Sequence, residues 1–133
     1  MNPVEIKQIV ALWVAAVAAG DLSALSNLVA DDVRDTSGPT PSVGSETFCA
    51  RAAAVDNAFG DMEVRVEDLV TENDRAAWRW VLTGNHVGPF AGVAATGRRV
   101  SFRGINFQRF AAGKVVEHWT MVDAASLLKQ LAA

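Results

Sequence analysis

Few side chains in this sequence can move a proton near neutral pH. The two histidines are His86 and His118, and an imidazole of ordinary pKa, about 6.5, serves as acid or base. Along Lys114 to Val122, alternation sets Val116, His118, Thr120 and Val122 on one strand face and Val115, Glu117, Trp119 and Met121 on the other. Two readings stand for His118: a general acid or base facing a pocket, or a histidine hydrogen-bonded within a sheet. Asp35 precedes the Pro/Gly/Ser-rich run Ser37 to Ser45. It either bonds the backbone of Thr36 and Ser37 as a turn residue, or stands in an apolar site where its pKa rises toward the working range of a general base. His86 lies in the turn Gly84-Asn85-His86-Val87-Gly88, which it fixes or from which it reaches the mouth of a pocket. Glu117 is best placed to pair across strands with an arginine such as Arg103 or Arg109.

Trp78 and Trp80 share a strand face and form either aromatic pocket walls or part of a subunit interface. Arg51 meets an anionic group of a ligand or is a solvated helix charge. The single cysteine, Cys49, and two histidines have no zinc-site spacing, so no metal is expected. Gly92 to Arg99 reads as a turn and resembles neither a P-loop nor a dinucleotide fingerprint, so no cofactor is expected.

The elements that must position these groups follow from periodicity and caps. Asn2, Pro3 and Glu5 mark a helix start; Ile6, Ile9, Val10, Trp13 and Val17 form its apolar face and Gly20 ends it. Asp21 caps a second short helix carrying Leu22, Leu25, Leu28 and Val29. A short strand is expected over Val33 to Thr36, an irregular segment over Ser37 to Ser45, and a third helix from Glu46 to about Ala58, with Phe48, Ala52, Val55 and Phe59 at helical spacing. From Met62 the period becomes two, with Met62, Val64, Val66, Asp68 and Val70 facing one way. Strands over Arg75 to Asn85, Arg98 to Phe110 and Lys114 to Val122 follow, the last two joined as a hairpin through Ala111-Ala112-Gly113. Asp123 caps a final helix with Leu127, Leu128 and Leu131. This order predicts an α+β fold, a mostly antiparallel sheet curled around helices into a cone whose interior suits a small molecule.

A chain of 133 residues, half of them hydrophobic, suits one domain over residues 1–133 that needs no disulfide. Twelve basic against 15 acidic side chains, a net charge of −3, exclude a strongly basic nucleic-acid binder. The apolar stretch Ile9 to Ala19 is too short to span a bilayer, and no basic cluster precedes it. A cytoplasmic protein that keeps its N-terminus and has no membrane partner is expected.

The second half carries a more specific pattern. After Gly84 to Gly88 come Thr96-Gly97-Arg98, Arg109-Phe110 before Gly113-Lys114, Glu117-His118-Trp119, and Asp123 before Leu127-Leu128-Lys129-Gln130-Leu131. In order and spacing this resembles the SnoaL-like polyketide cyclases of the NTF2-like superfamily, and Gly20-Asp21, Asp31-Asp32-Val33 and Phe48 fit the first half. The resemblance implies an NTF2-like cone, a curved sheet wrapped around three N-terminal helices with a short C-terminal helix. It also implies a homodimer paired through the sheet, and a last strand whose His118 and Thr120 face lines the cone. The family's catalytic aspartate and histidine positions fall, by count from Arg109, Gly113-Lys114 and His118, on Thr120 and Asn106. Neither exchanges a proton near neutral pH, but a hydroxyl and an amide can hold a carbonyl or enolate by hydrogen bonds. Asp35 lies on a strand whose counterpart in related cones carries a catalytic carboxylate nearby.

The expected function is therefore a cofactor-independent cyclase or isomerase acting on a hydrophobic, carbonyl-bearing polyketide or related metabolite. Asp35 and His118 are its catalytic candidates, and Trp80, His86, Asn106, Thr120, Arg51 and Val17 its substrate-binding candidates. The alternatives are a non-catalytic small-molecule binding module and an epoxide-opening cyclase or hydrolase of the same fold.

Overall fold

A computed structural model describes Met1–Ala133. Helix α1 (Pro3–Ala19) begins where the Asn2 side chain accepts from the Glu5 amide at 2.9 Å, and it ends at Gly20, whose φ of 64° is left-handed. Asp21 then caps α2 (Leu22–Ser26) by accepting from the Ala24 amide at 3.0 Å. Leu28 and Val29 do not continue that helix. Val29 instead opens β1 (Val29–Asp35), earlier than the expected Val33, because a buried β-branched side chain packs well in a sheet.

The segment after β1 is not wholly irregular. Its β2 (Ser42–Val43) pairs with the end of β1, Arg34 opposite Val43 and Asp35 opposite Ser42. Helix α3 (Ser45–Ala58) stops before Phe59, whose extended backbone opens β3 (Phe59–Glu72). Then come β4 (Arg75–His86), β5 (Arg99–Ala111), β6 (Lys114–Val122) and α4 (Ala124–Ala132). The β5–β6 turn has positive φ at both Ala112 and Gly113, 51° and 78°, matching the twist of a hairpin. Asp123 caps α4 by accepting from the Ser126 amide at 3.0 Å, the structural role its position suggested.

The six strands lie in the order β2-β1-β6-β5-β4-β3, antiparallel except for the β1–β6 pair. This is the α+β cone that the sequence pattern implied, a curved sheet with helices across its inner face. A core of 21 buried residues joins α1 side chains such as Ile6, Val10 and Trp13 to Leu82, Phe102 and Phe110 of the sheet. No helix is long and apolar enough to cross a membrane.

Besides a register shift between Gly60 and Glu63 of β3, two bulges further along the strands set which residues face inward. In β3, Val66 pairs with Trp80 and Asp68 with Arg79, so Glu67 is an extra residue. Leu69 therefore turns inward while Asp68 and Val70 turn out, and Val70 is 63% exposed, against the uniform alternation expected from Met62 to Val70. In β6, Glu117 pairs with Arg109 and Val115 with Phe110, leaving Val116 as the extra residue. Val115 consequently joins the inner face and is fully buried, while His118, Thr120 and Val122 keep the inward orientation that alternation assigned.

Candidate active site

Inside the cone is a cavity of about 370 Å³, walled mostly by apolar side chains from α1, α3 and the concave sheet. Asp35, Asn106, His118 and Thr120 all line it, as do Arg51 and Val17. Trp78 and Trp80 face the same space, which decides between pocket and outer surface in favour of the pocket. The alternation on β4 and β5 explains the gathering: Trp78, Trp80, Asn106 and Gln108 all fall on buried positions.

His86 does not join them. Its ring is fully buried against Phe59, outside the cavity, with Nδ1 accepting from the Thr96 amide at 3.1 Å. The Thr96 hydroxyl stands 3.0 Å from the same nitrogen, and Nε2 has no partner. The histidine ties the far end of the β4–β5 connection to the strand, so its place among the substrate-binding candidates is withdrawn.

Asp35 combines the turn role with a place in the cavity wall. Its Oδ1 accepts from the Ser37 amide at 2.9 Å and the Ser37 hydroxyl at 2.6 Å, closing the local turn, yet the side chain also lines the cavity. Ser37 Oγ in turn accepts from the Thr120 amide at 2.9 Å, so its own proton is free to go to Asp35. Arg51 Nη1 reaches Oδ2 at 3.2 Å from a half-exposed position on α3. Burial works to raise the Asp35 carboxyl, but the Ser37 hydroxyl and amide, His118 and Arg51 outweigh it and hold the group below the ordinary carboxylate value. This corrects the expected rise: Ser37 in the turn after β1 and Arg51 on α3 supply donors that an apolar cone alone would not.

His118 stands beside Asp35 across the parallel β1–β6 pair. Trp13 stacks on its ring with centroids 5.3 Å apart, and Phe48 meets it edge-on at 5.1 Å. Burial between these rings pushes the imidazole down to about 4 despite the opposing pull of Asp35, so the side chain is neutral at pH 7. On β5, Gln108 Nε2 lies 3.0 Å from His118 Nδ1, and Trp78 Nε1 donates to Gln108 Oε1 at 3.0 Å. Trp80 Nε1 donates to Asn106 Oδ1 at 3.0 Å. On the outer face Glu117 pairs with Arg109 at 2.9 Å, as its position suggested, and that guanidinium holds the Glu117 carboxyl below its usual value.

Trp13, Phe48, Ser37 and Gln108 were not among the site candidates. Gln108 could have been found by alternation along β5, being two residues beyond the Asn106 that the family resemblance picked out. Trp13 and Phe48 read as helix core positions, and only the packing of α1 and α3 over β6 brings their rings to His118. No three of the His, Cys, Asp and Glu side chains come together as a metal site.

The sequence profile of the SnoaL-like polyketide cyclases matches residues 7–131. The chain belongs to this family. It is 37% identical to aklanonic acid methyl ester cyclase AcmA of Streptomyces galilaeus over 91 residues, 66% of this chain and 62% of the relative. Over the same length it is 32% identical to nogalonic acid methyl ester cyclase of Streptomyces nogalater, covering 66% of each protein. The chain therefore spans less than two thirds of the length of these cyclases. Among solved structures, TsrD from Streptomyces laurentii superposes with a TM-score of 0.90 at 28% identity, over all of this chain and 98% of the other.

Proposed function

We propose that this protein is a SnoaL-like cyclase that closes a ring in a hydrophobic, carbonyl-bearing polyketide or related secondary metabolite, without a cofactor. The convergence of Asp35, Asn106, His118 and Thr120 on one apolar cavity carries the reading. In it, the Asp35 carboxylate takes a proton from a carbon next to a carbonyl. The resulting enolate carbon bonds to a second carbonyl carbon, whose oxygen receives the proton back, so no atom is gained or lost. Asn106 Nδ2, the Thr120 hydroxyl and His118 donate to the oxygen on which charge develops, and Trp80 and Val17 hold the apolar body of the substrate. Arg51 bridges Asp35 to the cavity rim.

The test is incubation with aklanonic and nogalonic acid methyl esters, the molecules for which the two relatives are named. A product of unchanged mass with one more ring supports the reading, and Asp35→Asn should then lower turnover by about 10²-fold or more. A second reading is a binding module without turnover, favoured by Thr120 and Asn106 standing where the family resemblance places a proton-moving pair. Saturable ester binding with no product on long incubation, unaffected by Asp35→Asn, would establish it instead.

The same proposal makes the protein a cytoplasmic homodimer that takes no nucleic acid or membrane partner. Support comes from the outer sheet face, where the cross-strand pair Ile105 and Met121 and neighbouring Phe107 are each at least 44% exposed. Light scattering at the monomer mass would count against pairing there.

A further inference from the structure

Two tryptophans on β4 bond two amides on β5 with the same diagonal offset. In the ladder Trp78 stands opposite Asn106 and Trp80 opposite Gly104, yet Trp78 donates to Gln108 and Trp80 to Asn106, both at 3.0 Å. An indole N–H only donates. Each tryptophan therefore fixes the orientation of its amide, with the oxygen toward the indole and the NH2 group turned away. For Gln108, the NH2 group so placed lies 3.0 Å from His118 Nδ1, with all three side chains buried. Because an amide NH2 cannot accept, Nδ1 must present its lone pair.

We infer that Trp78 and Gln108 are positioning residues that hold His118 as the Nε2–H tautomer, making the imidazole a hydrogen-bond donor to the cavity. The inference rests on the cyclase reading for its role in turnover. Under that reading His118 and Asn106 together form a wall of fixed donors for a ketone oxygen that becomes an enolate. The proton itself goes elsewhere, to Asp35. The groups packed around the imidazole agree with a neutral ring. Helix α1 contributes Trp13 and α3 contributes Phe48, while the nearby charges, Asp35 of β1 and Arg51 of α3, are paired with each other at 3.2 Å. A neutral imidazole carries one ring proton, and the amide decides which nitrogen holds it.

The experiment is a long-range proton–nitrogen correlation spectrum of the 15N-labelled, ligand-free protein at pH 7. His118 should show a pyrrole-type nitrogen at Nε2 and a pyridine-type nitrogen at Nδ1. Gln108→Glu keeps the shape but presents an acceptor to Nδ1, so the spectrum should change to a protonated Nδ1. Trp78→Phe frees the amide oxygen, and a second tautomer should appear. A wild-type Nδ1–H tautomer, a wild-type imidazolium, or a tautomer unchanged in both folded variants would overturn the inference. If a variant fails to fold, the wild-type spectrum still decides. These spectra need no substrate, so they are judged apart from ring closure: an Nε2–H ring in a protein that forms no product would leave the relay standing and remove only the cyclase reading.

Discussion

The Trp80 indole packs directly against the Cα of Gly104, in the space that a β-carbon at this position would fill. The glycine lets the ring lie low enough on β5 for its Nε1 to reach Asn106 two residues along. Gly104→Ala should therefore push Trp80 off its position and release the Asn106 amide. The expected cost is about 1–3 kcal/mol of stability from overpacking, with weaker ligand binding at the cavity. Denaturant unfolding followed by tryptophan fluorescence checks the first, and titration with an ester substrate checks the second. Unchanged stability together with unchanged binding would mean that Trp80 does not need this approach.

Ser37 links the Asp35 carboxylate to the Thr120 amide through one hydroxyl. Ser37→Ala deletes a donor to a buried carboxylate, which costs about 1–3 kcal/mol, and burial, no longer opposed by that donor, lifts the Asp35 pKa. If Asp35 is the base, the acid limb of the pH profile of kcat/KM moves to higher pH, because the carboxylate must be ionised to accept a proton. An acid limb that stays in place while Asp35→Asn abolishes turnover would contradict this wiring.

Much of the site was legible as alternation, because period two fixes which strand side chains share a face. His118 and Thr120 share a face for that reason, the family resemblance implied that this face lines the cone and singled out Asn106, and Asp35 could be read as a turn residue because Ser37 is local to it. The direction of its pKa shift could not be read, since it depends on how many donors the fold brings to one carboxylate, including Arg51 from another helix. The surroundings of His118 were equally hidden, because Trp13 and Phe48 lie far from it in the chain. The bulges at Glu67 and Val116 escaped notice because neither is marked by a glycine or proline, and each reverses alternation on one side only.

The stability of the protein should fall as the pH drops below neutrality. The folded-state pKa of His118, about 4, is below its ordinary value of 6.5, so the unfolded chain takes up the proton first. The contribution of His118 is thus fully present above the ordinary value and is lost as pH falls toward the folded one, at up to about 1.4 kcal/mol per pH unit. Asp35 acts with the same sign, but its lowered pKa places its loss below the ordinary carboxylate range. Urea unfolding at a series of pH values between these limits, compared with His118→Gln, isolates the histidine. Parallel pH dependences in the two proteins would mean that burial does not keep His118 neutral.

The Glu67 bulge offers a test of how the sheet closes on the cavity. Val64 and Met62 line the cavity before the bulge, and Leu69 packs on the core after it. Deleting Glu67 joins Val66, opposite Trp80, directly to Asp68, opposite Arg79, so β3 keeps its pairing on both sides and Leu69 stays inward in a regular ladder. Glu67→Ala keeps the residue count and loses surface ion pairs with Arg103 and Arg65, so its stability should stay near that of the wild type. Thermal unfolding of the two variants makes the comparison. The deletion variant should be about as stable as Glu67→Ala, and one far less stable would show that the bulge itself, and not only the ladder on either side of it, seats Met62 and Val64 in the cavity wall.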